Sequence, residues 1–305
     1  MIQIFMKHFV VLVVVLLGPS VMFASPTPQS ATRVSTSSPA PGADKLNVIL
    51  IMADDSAADN YGCYGSTFFK TPTLDALAKA GAKFNHCYSE PVCTSSRVKI
   101  MTGRDGIRNY VAFGTLDKSE TTFGTMMKKH GYATAVAGKW QLHGGKNGSL
   151  APDCGFDNFC LWNYPGTERS RYWKPSIMRD GKLVETTEKD YGPDLFTNYL
   201  INFIEKNKKC PFFVYYPMVL VHSPFPVTPD SKPVTENENS KKGDEALRNF
   251  RDMTLYADKC VKRIVEALDK NGLRENTVII YTTDNGTGRS LTYPYRDKQR
   301  KGEKA

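Results

Sequence analysis

Two short polar segments stand far apart in the sequence and carry side chains typical of a metal site. Asp54 and Asp55 form the first segment, and Asp284 and Asn285 form the second. All four side chains offer oxygen atoms, which favours a hard cation such as Ca²⁺ or Mg²⁺ over Zn²⁺. Three carboxylates in one place are costly unless a cation neutralises them. Either segment alone also fits an ordinary turn, so the residues by themselves leave both interpretations open.

A cysteine and an arginine four positions apart form a third segment whose side chains could take part in catalysis. Cys93 is followed by a Thr/Ser run and then by Arg97, while residues 98–101 are mostly apolar and predict the start of a helix. A thiol near a helix N-terminus has a lowered pKa because the helix dipole stabilises its anion. Arg97 could then bind an anionic group. A buried structural cysteine before a helix is the simpler alternative.

Four predicted strands must bring these segments together. The strands are expected at residues 45–52, 132–137, 212–216 and 277–282, and helices at 71–81, 121–130, 194–206 and 245–271. The polar, Lys-rich stretch 228–243 predicts a surface loop. This alternation predicts an α/β fold with a largely parallel sheet. Polar residues, among them Lys139 and His222, follow each strand. The carboxyl ends of parallel strands share one edge of a sheet, so we expect the distant segments to meet there.

These segments together resemble the signature of the sulfatase family, which belongs to the alkaline phosphatase superfamily. Residues 93–97, followed by Met-Thr-Gly at 101–103, resemble the family pattern Cys-x-Pro-x-Arg followed by Leu/Met-Thr-Gly. Further similar segments, in family order, are residues 47–55, 71–78, 131–140, 222–224 and 283–286. The resemblance implies an alkaline-phosphatase-like sandwich with a largely parallel central sheet flanked by helices, from which the family's C-terminal subdomain is missing.

The resemblance also implies a function and a role for each site residue. In the family the cysteine is oxidised to formylglycine, and its hydrated aldehyde attacks the sulfur of a sulfate ester, so we expect a sulfuric ester hydrolase. The implied metal ligands, for Ca²⁺ rather than Mg²⁺, are Asp54, Asp55, Cys93, Asp284 and Asn285. Arg97 would stabilise the hydrated aldehyde, Lys139 would contact the sulfate, and His222 would contact the sulfate or the leaving oxygen.

Two positions depart from the family pattern, and a third site residue has to be chosen between two lysines. Ser95 replaces the usual proline, which puts the conversion of Cys93 in question. Gln141 replaces a histidine that commonly touches the nucleophile, and His143 could substitute for it or be a plain loop residue. We assign the family's final sulfate-binding lysine to Lys304 rather than Lys301. Gln141, His143 and Lys304 are therefore predicted to bind substrate.

Two other functions stay open at this point. A catalytically impaired sulfatase-like protein that binds sulfated glycans would agree with Ser95 and Gln141. A phosphoesterase of the same superfamily would use an unmodified nucleophile, and it predicts Ser or Thr where this chain has Cys93. The mass spectrum of the peptide that contains Cys93 separates these interpretations.

The N-terminal part of the sequence predicts where the protein is located and where its folded domain begins. Residues 1–24 resemble a cleaved signal peptide with an apolar run at 9–17, with a membrane anchor or buried helix as the alternative. Residues 25–44 are rich in Ser, Thr, Pro and Ala and predict a flexible linker. Residues 45–305 would be the incomplete catalytic domain. We therefore expect an exported protein, periplasmic or secreted, without stable membrane insertion.

Charge narrows the expected partners. Forty Lys and Arg residues against 31 Asp and Glu residues give a net charge of +9, which favours anionic ligands. Together with the resemblance, this predicts sulfate esters, including those of sulfated polysaccharides, and the formylglycine-generating machinery as partners, and not nucleic acid.

Overall fold

The computed structural model describes residues 12–14, 45–231, 239–240 and 243–304. Most of the predicted signal at 1–24 and all of the predicted linker at 25–44 lie outside the described residues. Residues 12–14 form a short strand, and the loop predicted at 228–243 is described only in part. The chain from residue 45 onward carries all the other strands and every predicted site residue.

The described chain contains six α-helices and thirteen strands. The helices are α1 (Pro72–Ala80), α2 (Cys93–Thr102), α3 (Gly106–Asn109), α4 (Phe123–Lys129), α5 (Gly192–Lys206) and α6 (Gly243–Lys270). The first seven strands are β1 (Leu12–Val14), β2 (Asn47–Ala53), β3 (Ala82–Lys83), β4 (Ala133–Lys139), β5 (Asn158–Trp162), β6 (Met178–Arg179) and β7 (Lys182–Leu183). The others are β8 (Phe212–Pro217), β9 (Phe225–Pro226), β10 (Asn239–Ser240), β11 (Thr277–Thr283), β12 (Thr292–Tyr295) and β13 (Lys298–Lys301).

The central sheet has nine strands in the order β3-β1-β11-β2-β8-β4-β5-β6-β7. Its five inner strands, from β11 to β5, are all parallel, and the strands at both edges are antiparallel. Ala53 at the end of β2 pairs with Thr283 at the end of β11. The segments that follow these two strands therefore leave the sheet side by side, and the α/β prediction is confirmed.

The sheet is buried on both faces, which explains why its central strands are almost continuously apolar. Along β2, Ile49 and Ile51 pack into a core that contains side chains of α1, α5 and α6. The alternate residues Leu50 and Met52 pack into a second core with side chains of α2. Helices thus cover both sides of one sheet, as in the predicted sandwich.

The predicted elements agree with the structure except at a few places. Helix α2 begins at Cys93, five residues before the predicted start at 98. The prediction missed its first turn because that turn is a polar Thr/Ser run. Strand β5 and the β12–β13 hairpin were not predicted. Residues 239–240 were predicted as loop but pair with β9. Within the described ranges, no helix is both long and apolar enough to cross a membrane.

Candidate active site

The two acidic segments meet at the carboxyl ends of β2 and β11. The backbone N–H of Asp55 donates to Oδ1 of Asp284 at 3.1 Å. Nδ2 of Asn285 donates to Oδ1 of Asp55 at 2.7 Å. Asp54, Asp284 and Asn285 are fully buried. The convergence that the strand order predicts is confirmed, and it places three carboxylates in one small region.

Two basic side chains offset the charge of the buried carboxylates. Arg97 extends from α2 and donates from Nε and Nη2 to Oδ2 of Asp284 at 3.1 and 2.9 Å. Lys139, the last residue of β4, donates from Nζ to Oδ2 of Asp54 at 2.8 Å. Both basic side chains are at most 2% exposed. We call this group the buried tetrad; it consists of Asp54, Asp284, Arg97 and Lys139.

Burial and charge act in opposite directions on the ionisation of the tetrad. Burial would raise the pKa of Asp54, but the charges of Lys139, His222 and Arg97 hold it far below its ordinary value. Burial and the neighbouring charge of Asp54 instead raise the pKa of Asp284, despite its contact with Arg97. Burial works against the charged form of Arg97, but Asp284 and Asp54 raise its pKa above the ordinary value.

Asp55 lies at the more open side of the site. Lys304 donates from Nζ to Oδ1 of Asp55, and Nε2 of His222 lies 3.5 Å from Oδ2. The side chains of His222 and Lys304 are 23% and 18% exposed. Burial lowers the pKa of His222, although Asp54 and Asp55 act in the opposite direction. We call Asp55, His222 and Lys304 the open triad.

The predicted nucleophile occupies the first turn of α2. Cys93 is the first residue of the helix and is 3% exposed. Arg97 follows one turn later on the same helix, so the position of Cys93 is tied to the buried tetrad. Oγ of Ser95 donates to the carbonyl oxygen of Val92 at 3.0 Å, at the position where the family usually has proline.

The acidic centre fits a hard cation. Oδ1 of Asp54 and Oδ1 of Asn285 are buried and lack a hydrogen-bond partner, and the nearest guanidinium nitrogen of Arg97 lies 3.7 Å from the former. Ligand atoms of Asp54, Asp55 and His222 all lie within 4.8 Å of one another. Buried oxygens without partners are rare in proteins, and a bound cation would satisfy them. The predicted ligands Asp54, Asp55 and Asn285 are therefore compatible with a hard cation, and His222, which was not predicted as a ligand, lies beside the two aspartates.

The two substrate-binding residues predicted after Lys139 have different surroundings. Gln141 lines a cleft of about 380 Å³ together with Lys139 and His222, and its buried Oε1 lacks a partner. His143 is not among the residues that line this cleft; its ring lies 6.3 Å from that of Tyr164. Burial lowers the pKa of His143. This location agrees with the alternative that His143 is a loop residue, and its predicted contact with substrate has no support here.

Two residues that position the site were not predicted from the sequence. The Tyr172 hydroxyl lies 2.8 Å from the carbonyl oxygen of Val219 and also contacts that of His222, which holds the histidine loop. Oγ1 of Thr287 accepts hydrogen bonds from the N–H of Ala57 and from Nδ2 of Asn60 at 3.1 and 2.9 Å. These bonds tie the segments after β2 and β11 together. The position of Thr287 just after Asp-Asn-Gly was the only signal for it, and Tyr172 had none.

Comparison with known proteins assigns the family. The sequence model described as "Sulfatase" matches residues 46–304. The chain belongs to the sulfatase family.

Several sulfatases resemble this family member along much of its length. An N-acetylglucosamine-6-O-sulfatase of Bacteroides thetaiotaomicron is 32% identical over 56% of this chain and 29% of its own length. An arylsulfatase of Hemicentrotus pulcherrimus is 30% identical over 80% of this chain and 48% of its own length. The crystal structure of Ps i-CgsB superposes with a TM-score of 0.69 at 27% identity, over 80% of this chain and 59% of that one. This sulfatase-family chain thus spans between 29% and 59% of the length of these three relatives.

Proposed function

We propose that this chain hydrolyses sulfate esters of carbohydrates with a formylglycine derived from Cys93 and a bound Ca²⁺. One observation carries the proposal. Acidic, basic and thiol side chains from distant parts of a sulfatase-family sequence converge at one sheet edge, with Cys93 and Arg97 on one helix and three carboxylates beside them. A cation-binding centre next to a nucleophile and surrounded by basic groups is suited to an anionic ester.

Each basic or titratable residue has a distinct task in this proposal. Lys139 and Lys304 offset the negative charge that develops on the sulfuryl oxygens. Arg97 fixes the position of the nucleophile through helix α2 and balances the charge of Asp284. His222, which faces the cleft, donates a proton to the leaving alcohol oxygen.

Ca²⁺ and formylglycine supply what these side chains lack. Asp54, Asp55, Asp284 and Asn285, together with the residue derived from Cys93, would hold the cation, which would polarise the ester oxygens when bound. Formylglycine would supply a hydroxyl nucleophile in place of the thiol. The partnerless oxygens of Asp54 and Asn285 support this ligand set.

Carbohydrate sulfates are the proposed substrate class. One relative is named as an N-acetylglucosamine-6-O-sulfatase. A second crystal structure of Ps i-CgsB, 26% identical to this chain, is of its complex with k-i-k-neocarrahexaose. The cleft beside Lys139 and His222 is large enough to take part of a saccharide. The net charge of +9 agrees with an anionic ligand.

The state of Cys93 tests the nucleophile. The mass of its tryptic peptide should show loss of sulfur and gain of an aldehyde when the chain is produced with a formylglycine-generating enzyme. A Ser95→Pro variant is the matched control, because it restores the family pattern without touching Cys93. An intact thiol in both proteins would contradict the proposed nucleophile and favour the glycan-binding alternative.

The metal is tested separately from the nucleophile. Hydrolysis of a chromogenic aryl sulfate should stop after treatment with a chelator and return when Ca²⁺ is added. Calcium should also stabilise the fold by about 2.7 kcal/mol at a hundred times its Kd, which a thermal melt of the unmodified chain can detect. Full turnover after calcium removal, or an Asp284→Asn variant with an unchanged response to calcium, would contradict the metal assignment.

Export is a second part of the proposal, and it rests on the sequence pattern at 1–24 alone. Expression in a cell with a secretory pathway should yield a mature chain that begins after about residue 24, as read by N-terminal sequencing. Retention of residues 1–24 in a cytosolic fraction would contradict it.

A further inference from the structure

We propose that Arg171 binds a second anionic group of the substrate, a carboxylate or a second sulfate, next to the sulfate that is cleaved. The inference rests on the proposed function, since it assigns the substrate class of the same site. It makes Arg171 a specificity-determining residue that discriminates a saccharide with two anionic groups from one with a single sulfate.

Aromatic rings hold the Arg171 guanidinium in a fixed plane. Its central carbon lies 4.2 Å from the centroid of the Trp162 ring and 5.8 Å from that of Tyr172. Trp162 and Tyr172 are both buried, so the surface under the arginine is rigid. Stacking of this kind orients the planar fork of donors before a ligand arrives and reduces the entropy lost on binding.

The guanidinium has donors that the protein does not use. Nη1 of Arg171 is buried and lacks a hydrogen-bond partner. Within the described ranges, no carboxylate lies at ion-pair distance from Arg171, in contrast to Arg97 and Arg263, which both contact aspartates. A positive charge without a counter-charge favours an anionic ligand group, which the part of the guanidinium that lines the cleft would bind through charge-assisted hydrogen bonds.

The arginine faces the cleft in which the proposed reaction takes place. Arg171 lines the 380 Å³ cleft together with Lys139 and His222, so the three side chains border one space. Arg169 adds a second positive group to the lining, and the exposed side chain of Glu168 adds a negative one. The positive groups outnumber the negative one, and His222 marks the side from which the alcohol leaves.

These positions define what the second anion must be attached to. A group that reaches Arg171 while a sulfate contacts Lys139 lies on the same sugar or on its direct neighbour, because both residues line one cleft of saccharide size. Singly sulfated sugars would leave the arginine without a ligand. The chain should therefore prefer doubly charged saccharides.

Binding measurements test the inference without any need for turnover. Calorimetry on the 305-residue chain, with Cys93→Ala as a common background and excess Ca²⁺, compares N-acetylglucosamine 6-sulfate with glucosamine 2-N,6-O-disulfate. A disaccharide of 6-sulfated N-acetylglucosamine linked to a uronic acid tests a carboxylate as the second anion. At least one doubly charged probe should bind about tenfold more tightly than the singly charged one, as expected for a charge-assisted bond.

Two variants show whether Arg171 causes the preference. Arg171→Gln should reduce the tenfold ratio to about one, and Arg171→Lys should retain part of it. Arg179→Gln is the matched control, because Arg179 also lies over an aromatic ring, that of Tyr199, and has a buried Nε without a partner, but does not line the cleft. It should leave the ratio unchanged. Thermal melts verify that each variant is folded.

The outcomes separate this inference from the proposed function. Equal binding of all three probes by the parent chain, or an unchanged ratio in Arg171→Gln, overturns the role of Arg171 and leaves sulfate hydrolysis intact. Equal weakening of all probes by Arg171→Gln also overturns it, because that result indicates a structural role. Failure of every probe to bind, together with no hydrolysis of aryl sulfates, would overturn both proposals.

Discussion

The buried tetrad and the open triad are built from similar residue types but differ in their contact with solvent. Asp54 and Asp284 are fully buried, and each contacts a basic side chain that is at most 2% exposed. Asp55 instead pairs with His222 and Lys304, which are 23% and 18% exposed. An ion pair in a low-dielectric interior is costly to break, whereas a partly solvated pair is replaced by water at little cost.

This difference assigns different tasks to the two groups. The tetrad is tied to strands β2, β4 and β11 and to helix α2, so its geometry is set when the sheet forms. In the triad only Asp55 closely follows a strand of the sheet, whereas His222 comes from a loop and Lys304 from the segment after the β12–β13 hairpin. We therefore expect substitutions in the tetrad to lower both stability and turnover, and substitutions in the triad to lower turnover with little loss of stability.

The largest effect should come from removing a basic member of the tetrad. Arg97→Met leaves Asp284 buried without its partner, and we expect a loss of about 3–5 kcal/mol in the free energy of unfolding in calcium-free buffer. Urea denaturation measures it. The control is Lys128→Met, because Lys128 forms an exposed pair with Asp157 and should change stability by at most about 1 kcal/mol. Equal effects of the two variants would erase the contrast between buried and open groups.

In the triad, the main effect of a substitution should be on turnover. His222→Gln removes the proposed proton donor, and we expect kcat for a sulfate ester of a poor leaving group to fall about a hundredfold. The loss should be smaller for an aryl sulfate whose leaving group needs no proton. His143→Gln is the paired control and should leave both rates nearly unchanged, because His143 does not line the cleft. A similar loss with both substrates would argue against proton donation.

The pH dependence of stability sharpens the comparison within the tetrad. Burial and Asp54 raise the pKa of Asp284, so the folded chain holds a proton that the unfolded chain has lost above about pH 4. The free energy of unfolding without calcium should therefore decrease as the pH rises from about 4, by at most about 1.4 kcal/mol per pH unit. The pKa of Asp54 is lowered, and its contribution is lost only in stronger acid.

Urea denaturation at several pH values in a chelator checks this slope. Asp284→Asn should flatten it, and excess Ca²⁺ should do the same in the parent chain by stabilising the ionised carboxylate. A slope that survives in Asp284→Asn would assign the proton to another group.

The smallest stability effect is expected at Lys304. Lys304→Met removes a partly exposed pair with Asp55, and we expect a loss of about 1 kcal/mol or less, again by urea denaturation. The exposed Lys301 offers the control variant Lys301→Met, which should leave both stability and turnover unchanged. Lys304→Met should still slow sulfate hydrolysis. Unchanged hydrolysis would remove Lys304 from the site and weaken the distinction between the two groups.

The sequence was sufficient to predict the centre of the site. Strong apolar runs predicted strands β2, β8 and β11, and the rule that parallel strands end at one edge predicted that Asp54 would meet Asp284. The segments that carry the candidate catalytic and metal-binding residues also matched the family pattern, in the same order. Both arguments depend on residues that are close in sequence to a strand end or helix start, where local signals are strong.

The periphery of the site could not be predicted in the same way. Arg171 and Tyr172 lie in an irregular segment, and their roles depend on contacts with Trp162 and with the loop around His222. Such contacts arise from tertiary packing and leave no periodic pattern. Strand β5 is only five residues long, and α2 begins with polar residues that predict a loop. His143 stays an open prediction, because its residue type suggested chemistry while it does not line the cleft.

The burial of Cys93 sets an order of events during biogenesis. Once α2 packs against the sheet, the side chain is enclosed, and an enzyme of ordinary size has no route to its sulfur. Any enzymatic oxidation at this position must therefore take place on the nascent or newly translocated polypeptide. Lys304 leaves the ribosome more than two hundred residues after Cys93, so the interval between the two defines a window in which a modifying enzyme competes with folding.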